Sequence, residues 1–422
     1  MSITFRNYIP LLIFVVLPTL MVGQHPFTSL AKKSTYSIEL GNNRLEGEGA
    51  EFLLFEATRS PFFLVGEEGG LAKTPSILWA IYQHAYKIGL RFNHLAVDVN
   101  PTIAINLQDL ALEPDADRLM QEYFNEQEDI AVTYSSAEEQ DMLSKVLSTA
   151  ESNAYVLWGI GPTKITELRN DLTYLLSLAS DRDTEKIVEK YLREAEKAYT
   201  LFLKNGNLST LALFKWQNED FETLSSLYQE DEEALSVIND LRASQRVHTL
   251  TEEAAYQLSP SEQQSLMKGR FRRYYQEALA TQVKAPRVMV KIDWGSGFKG
   301  NIPGSNVKSF GNYLQAYGKK NNKRAFHLLV LGGISDSVRM KLLAQPLAYG
   351  PSLANTYTGD PANDLSPLIA AVPAGEKAVI ELAPIRKVIS SKALTISPLL
   401  TKIVEEYDAV LIVGDKNSSA SD

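Results

Sequence analysis

Cysteine is absent from the 422-residue sequence. Its absence excludes disulfide bonds, thiolate metal sites and cysteine nucleophiles, and also a lipid-modified cysteine after an export signal. A surplus of basic residues is lacking as well, because 51 acidic and 42 basic side chains give a formal net charge of −9. A chain without excess positive charge is poorly suited to neutralise a phosphate backbone, so we expect no nucleic-acid partner.

A hydrophobic run long enough to span a bilayer is also missing. Residues 8–22 form an apolar run of about 15 residues, whereas a helical span needs roughly 20. Arg6 precedes this run and Gly23 follows it, which is the pattern of a secretory signal peptide covering residues 1–23. We therefore expect an exported protein, periplasmic or extracellular, with no stable membrane span after the signal is cleaved.

Short apolar runs alternate with helical patterns in the rest of the chain. The runs predict strands at 62–66, 94–99, 154–158, 287–292, 326–331, 377–382 and 408–413. Helices are predicted among them at 75–88, 101–112, 306–317 and 398–406. Because the runs are continuously apolar, they indicate a mostly parallel sheet covered by helices on both faces. The predicted fold class is therefore α/β.

One long stretch, residues 163–282, breaks this alternation and shows no convincing strand pattern. Apolar residues at helical spacing with dense charge predict helices at 185–203, 220–243 and 251–282. We therefore expect a helical insertion, or cap, within one α/β domain. The predicted organisation is an α/β domain in two parts, 24–162 and 283–415, with the insertion at 163–282 between them and a polar tail at 416–422.

The candidate functional residues follow the predicted strands, where open parallel sheets bind their ligands. They are the acids Glu67, Glu68, Asp98 and Asp293, with Lys291 and Arg386 as counter-charges. Paired acids with separated pKa values could perform general acid–base catalysis. Glu67, Asp98 and Asp293 could instead hold a divalent cation such as calcium, magnesium or manganese. A third interpretation is that the acids cap helices and pair with lysine or arginine.

Three aromatic residues, Trp158, Trp294 and Phe298, fall near the same predicted crevice. They could line an apolar pocket for a small-molecule ligand, or pack at the sheet edge.

Common catalytic motifs are missing. The glycines at 66, 69 and 70 match neither the P-loop nor the dinucleotide fingerprint, and no Gly-x-Ser-x-Gly elbow occurs. None of the five histidines stands at the carboxyl end of a predicted strand: they are His25, His84, His94, His248 and His327. The usual imidazole base and serine nucleophile therefore have no candidate here.

Residues 63–70, Phe-Leu-Val-Gly-Glu-Glu-Gly-Gly, resemble the first-strand signature of the erythromycin-esterase-like proteins and the related ChaN and Tiki proteins. The resemblance continues in order over about residues 45–415, through segments 94–101, 157–159, 288–300, 326–333, 383–386 and 407–411. It implies an α/β fold with inserted helices. Through ChaN it also makes haem a candidate cofactor, which in this chain would need a tyrosine or methionine ligand.

The chain departs from this family at two positions. Where the family has histidines that activate water, this sequence has Gly69 and, in the best alignment, Ser296, while Glu67 is retained and Asp98 keeps its acidic character. Neither replacement supplies a base near neutral pH. We therefore favour a catalytically degenerate homologue that binds a small ligand. The alternative is an active hydrolase of an ester or related bond, with Glu67 or Glu68 as base, Asp98 as assisting acid, and with or without a metal ion.

Overall fold

The computed structural model of the chain describes residues 26–41, 44–67, 74–126, 137–149, 155–250, 256–282, 284–332, 361–392 and 394–414. The predicted signal peptide, the candidate residues Glu68 and Gly69, and the predicted polar tail lie outside these ranges. Within them, no helix is both long enough and apolar enough to cross a membrane.

Strands and helices alternate along most of the chain. The strands are β1 (Thr35–Ser37), β2 (Glu39–Gly41), β3 (Arg44–Glu46), β4 (Phe62–Glu67), β5 (His94–Val97), β6 (Leu157–Gly159), β7 (His248–Leu250), β8 (Tyr256–Leu258), β9 (Val288–Asp293), β10 (Ala325–Leu331), β11 (Ala378–Glu381) and β12 (Ala409–Ile412). The α-helices before the insertion are α1 (Pro26–Lys32), α2 (Glu48–Arg59), α3 (Thr74–Lys87), α4 (Pro101–Leu112), α5 (Ala116–Glu126) and α6 (Ala137–Leu147). Those within it are α7 (Leu168–Ser177), α8 (Arg182–Asn205), α9 (Ala212–Lys215), α10 (Asn218–Leu227), α11 (Glu232–Val247) and α12 (Pro260–Thr281). The remaining helices are α13 (Phe310–Lys320), α14 (Pro361–Ile369), α15 (Leu382–Ser390) and α16 (Pro398–Glu406).

Within the described ranges, eight strands form one sheet in the order β1-β11-β12-β10-β4-β9-β5-β6. The six strands from β12 to β6 are parallel to one another, whereas β11 runs antiparallel to β12 and β1 antiparallel to β11. The predicted mostly parallel α/β sheet is therefore confirmed. Two short hairpins, β2–β3 and β7–β8, lie outside this sheet.

The central strand β4 shows why its sequence is continuously apolar. Phe63 and Val65 belong to a core on one face of the sheet, while Phe62 and Leu64 belong to a core on the other face. All six residues of β4 are buried. A strand covered on both faces cannot alternate polar and apolar residues, which is the pattern that the sequence shows.

In the described part of the predicted helical stretch, the hairpin β7–β8 departs from the helical pattern. Its strands have three residues each, which is too short for a period of two to appear in the sequence. The predicted helix 220–243 is likewise divided into α10 and α11. Asp231 separates them, because its carboxylate accepts the backbone N–H groups of Glu233 and Ala234 and so caps α11.

Helices α7 to α11 share a hydrophobic core of their own, which includes Leu172, Trp216 and Leu241. The last helix of the stretch, α12, is different. Its Phe271 and Tyr275 pack against the sheet with Phe62 of β4. Helix α12 therefore lies on the same face of the sheet as α13, and this position brings its polar side chains towards the strand ends.

Candidate functional site

Three predicted acids follow neighbouring strands at the carboxyl edge of the sheet. Glu67 ends β4 and lies in register with Asp293, which ends β9. Asp98 directly follows β5, the strand on the other side of β9. We call the group formed by Glu67, Asp98, Lys291, Asp293 and Ser296 the carboxyl-edge site.

Lys291 and Glu67 form a buried ion pair on one face of β9 and β4. The Lys291 ammonium contacts Glu67 Oε1 and lies 2.9 Å from Oε1 of Glu139 on α6. Burial raises the pKa of Glu67 and the negative charge of Glu139 adds to the effect, while the ammonium of Lys291 lowers it. Since its carboxylate is engaged by a cation, Glu67 is poorly placed to act as a free base.

Asp293 and Asp98 form a second acidic pair, and both side chains are half-buried. Burial and the charge of Asp98 raise the pKa of Asp293 to about 6. Oδ1 of Asp293 accepts the backbone N–H of Ser296 at 3.1 Å, whereas its Oδ2 is buried without a hydrogen-bond partner. Burial also raises the pKa of Asp98, although Lys164, Arg270 and Lys291 lower it. Two carboxyl groups with unlike environments can hold different protonation states near neutral pH.

Ser296, which aligns with a family histidine, is fully buried. Its hydroxyl accepts the side-chain N–H of Gln264 on α12 at 2.9 Å. It also lies beside the Asp293 carboxylate and helps to lower the pKa of that group. Ser296 therefore orders the loop after β9 and is not aimed at solvent as a nucleophile would be.

The loop after β6 packs closely against Asp98. A Cβ at Gly161 would lie against the Asp98 carboxylate and 2.8 Å from the Asp98 carbonyl carbon, so only glycine fits there. The guanidinium of Arg270 on α12 donates to the Gly161 carbonyl and, through Nε, to Asp240 at 3.2 Å. Arg270 thereby links α12 and α11 to the strand ends.

A buried polar layer lies beside Asp98. Asn100 caps α4 by accepting the backbone N–H of Ile103 at 2.8 Å, and its amide donates to Glu167 at 3.3 Å. The Thr163 hydroxyl donates to Asp171 at 2.7 Å. Burial raises the pKa of Asp171 to about 7, and the nearby Glu167 adds to the effect. This layer connects the first helix of the insertion to the loop after β5.

Arg386 was expected as a counter-charge at the same edge, and the structure corrects this prediction. Because β11 is antiparallel to β12, residues that follow β11 leave from the opposite edge of the sheet. The guanidinium of Arg386 donates to the carbonyls of Val404 and Tyr407, at 2.8 Å and 2.5 Å, at the end of α16. It therefore satisfies helix-terminal carbonyls.

The three aromatic candidates are packed in the interior. Trp294 and Phe298 form a cluster with Tyr407, whose hydroxyl donates to the Trp294 carbonyl at 2.5 Å. Trp158 is 1% exposed and packs against α12. The Tyr407 hydroxyl also occupies the space where a Cβ of Gly66 would lie. All three side chains are therefore packed in the interior.

The histidines in the described ranges offer no base to the site. His94, His248 and His327 are buried, and each donates a ring N–H to a backbone carbonyl, at 2.7, 2.8 and 2.8 Å. Burial lowers the pKa of each to about 4, so all three are neutral at physiological pH. His84 lies within α3.

The predicted metal ligands Glu67, Asp98 and Asp293 do not converge. Across the parts of the chain that the structure describes, no three His, Cys, Asp or Glu side chains are grouped as a metal would require. Glu67 is turned to Lys291, and only Asp98 and Asp293 influence each other.

Three residues of the site come from helices and were not predicted. Glu139, Gln264 and Arg270 reach it from α6 and α12. Buried positions for a glutamate, a glutamine and an arginine are unusual. Gln264 and Arg270 fall within the predicted helix 251–282, whereas Glu139 lies in α6, a helix that was not predicted from the sequence.

Solved structures share this fold at low sequence identity. A structural-genomics target from Bacillus cereus superposes with a TM-score of 0.53 at 13% identity, over 92% of this chain and 97% of that one. A protein described as a succinoglycan biosynthesis protein superposes with a TM-score of 0.52 at 10% identity, over 93% and 97%. A point mutant of the erythromycin esterase EreC in its open conformation reaches 0.49 at 9% identity, over 88% and 95%.

No family model and no curated protein matches the sequence. At 13% and 10% identity, the first two structures establish a shared fold over nearly the whole length of both chains. The mostly parallel α/β fold expected from the sequence is therefore shared with these two structures. What this chain binds or converts follows from its own side chains alone.

Proposed function

We propose that this protein is an exported, catalytically degenerate member of the erythromycin-esterase-like fold that binds a small molecule at the carboxyl-edge site. The observation that carries the proposal is Oδ2 of Asp293, a buried carboxylate oxygen without a hydrogen-bond partner beside Asp98. Leaving such an oxygen unpaired costs about 1–3 kcal/mol. A ligand hydroxyl or ammonium group that donates to it recovers this free energy.

Two further observations support binding without family-type hydrolysis. The retained acid Glu67 is engaged by Lys291, so it is not free to take a proton from water. His94, His248 and His327 are neutral and donate to backbone carbonyls. A water-activating imidazole is therefore missing from this part of the site.

Native mass spectrometry of the mature protein, purified from its own compartment, tests the proposal. We expect a retained small molecule in the wild type and its loss in Asp293→Asn, whose amide cannot accept in the same way. Asp141→Asn is the matched control, because Asp141 is an exposed aspartate on α6 that pairs with Lys145. A wild-type protein that carries no molecule, and is stabilised by no member of a small-molecule library, would contradict the proposal.

An active hydrolase is the second candidate, and the pKa of about 6 at Asp293 favours it. A carboxylate with this pKa can act as a general base near neutral pH, with Asp98 as its assisting acid. Hydrolysis of p-nitrophenyl acetate between pH 5 and 8 separates the two candidates. Our proposal expects no rate above buffer. A rate that rises through about pH 6 and vanishes in Asp293→Asn, but not in Asp141→Asn, would replace it.

A further inference from the structure

A cavity of about 960 Å³ lies at the amino edge of the sheet, opposite the carboxyl-edge site. Its walls come from the starts of three neighbouring strands: His94 begins β5, while Val156 and Arg287 directly precede β6 and β9. The carboxyl-terminal end of α12 forms another wall through Tyr274. The volume is within the range of small-molecule pockets, roughly 300–1,000 Å³.

The base of the cavity is a fixed stack of aromatic rings. The Trp158 ring stacks with the rings of His94 and Tyr274, with centroids 4.2 Å and 5.6 Å away. His94 Nδ1–H donates to the Tyr155 carbonyl, and the Gln282 amide donates to His94 Nε2 at 2.8 Å. Because both ring nitrogens are engaged, the imidazole is held neutral and fixed in orientation.

Apolar side chains lie open at the mouth of the cavity. Tyr155 is 55% exposed and Leu90 is 43% exposed, and both line it. Ile88 and Leu279, the chain neighbours of the lining residues Gly89 and Ala278, are also exposed. A concentration of exposed apolar side chains around one cavity is typical of a ligand site.

The charge on the walls is mainly positive. Arg287 and Lys284 line the cavity. Arg287 donates to the Ala57 carbonyl at 2.5 Å, yet its Nε–H is buried without a hydrogen-bond partner. It also forms no ion pair anywhere in the described ranges, and burial lowers its pKa with no carboxylate to oppose the effect. Glu277 is the acid on the described walls. A buried guanidinium donor without an acceptor is suited to an anionic group.

We propose that this cavity, the amino-edge pocket, binds an amphipathic aromatic anion. Its flat apolar body lies against Tyr274, Tyr155 and Leu90, and its anionic group faces Arg287 and Lys284. The pocket is separate from the carboxyl-edge site, because the two lie at opposite ends of the parallel strands.

Two fluorescent probes with the same ring system test this assignment. 8-Anilinonaphthalene-1-sulfonate carries an anionic group, and N-phenyl-1-naphthylamine is its neutral counterpart. We expect one saturable site for the anion on the wild-type protein, with at least tenfold weaker binding of the neutral probe. Lys284→Glu should weaken binding of the anion about tenfold by reversing one contact charge, and should leave the neutral probe unchanged.

Matched variants locate the site. Lys204→Glu reverses an exposed lysine at the end of α8 and should change neither affinity. Tyr155→Ala should weaken both probes, because it removes apolar contact from an exposed position. Asp293→Asn should leave both unchanged, so the result is independent of the function proposed for the carboxyl-edge site. Equal affinities of the two probes, equal effects of Lys284→Glu and Lys204→Glu, or loss of binding in Asp293→Asn would each overturn the assignment.

Discussion

Replacing Lys291 with methionine removes the charge that two buried glutamates share and leaves the length of the side chain nearly unchanged. The ammonium contacts Glu67 and lies 2.9 Å from Glu139, and the Lys291 side chain is 5% exposed. Without it, the two buried carboxylates lose the ammonium that both of them contact. Removing one partner from a buried ion pair costs roughly 3–5 kcal/mol. We expect Lys291→Met to lose this amount of unfolding free energy at pH 7.5.

The loss should become smaller as the pH falls. Burial raises the pKa of Glu67 while Lys291 lowers it, so the substitution raises it further. A carboxyl group whose pKa is raised on folding contributes stability that is complete below its unfolded pKa of about 4.3. That contribution is lost as the pH rises through the folded value. Lys291→Met should therefore approach wild-type stability as the pH is lowered from 7.5 to 5.

Urea unfolding at pH 7.5 and 5, followed by circular dichroism, measures both effects. The double variant Lys291→Met, Glu67→Gln should be about 1–3 kcal/mol more stable than Lys291→Met at pH 7.5, because it removes one unpaired charge. Lys145→Met is the control: it breaks a surface pair with Asp141 and should cost less than about 1 kcal/mol. If Lys291→Met lies within the range of that control, or loses the same free energy at both pH values, the reasoning is refuted.

Three further predictions concern glycine packing and two perturbed acids. Gly161→Ala places a Cβ 2.8 Å from the Asp98 carbonyl carbon and should cost about 1–3 kcal/mol of unfolding free energy. Gly269→Ala is the control, because Gly269 lies in α12 with nothing within 4 Å of the new Cβ, and it should stabilise the protein by about 0.5–1 kcal/mol. Chemical denaturation measures both variants, and equal effects of the two substitutions would contradict the packing argument. Asp98→Asn removes a negative neighbour of Asp293, so the pKa of Asp293 should fall from about 6 towards its usual range. Carbon-detected NMR titration measures this pKa, and an unchanged value would refute the interaction between Asp98 and Asp293. Asp171, with a pKa raised to about 7, contributes stability below pH 3.8 that is lost as the pH rises through 7. Asp171→Asn should therefore exceed wild-type stability at pH 8 by up to about 4 kcal/mol and match it near pH 4, which unfolding at the two pH values checks.

The strands were predictable where burial on both faces imposes a continuous apolar run. The strand predicted at 62–66 is observed at Phe62–Glu67, and the strand predicted at 326–331 is observed at Ala325–Leu331. The direction of β11 was not predictable, because a short buried run has the same composition in a parallel and an antiparallel strand. Because β11 is antiparallel to β12, Arg386 lies at the edge of the sheet opposite to the one predicted.

The site was predictable to the extent that it follows strand ends. The order of strands places Glu67, Asp98 and Asp293 on one edge. The partners of these acids come from helices, and helical periodicity indicates an inner face without showing which strand it covers. Glu139 and Arg270 could therefore not be assigned to the site, and neither could the pairing of Glu67 with Lys291 that changes its chemistry.

The position of β4 at the centre of the sheet has a consequence for the order of folding. Phe62 pairs with Val288 and with Ala325, so both neighbours of the central strand follow the helical insertion in the chain. Closing such long loops is slow. The insertion buries Trp216 in a core of its own and does not need to wait for these pairings. In refolding, we expect fluorescence of Trp216 to change before amide protection appears in β4, and the reverse order would contradict this. During synthesis the amino end of the chain emerges first. The central strand β4 therefore has neither of its neighbouring strands until β9 and β10 have been made.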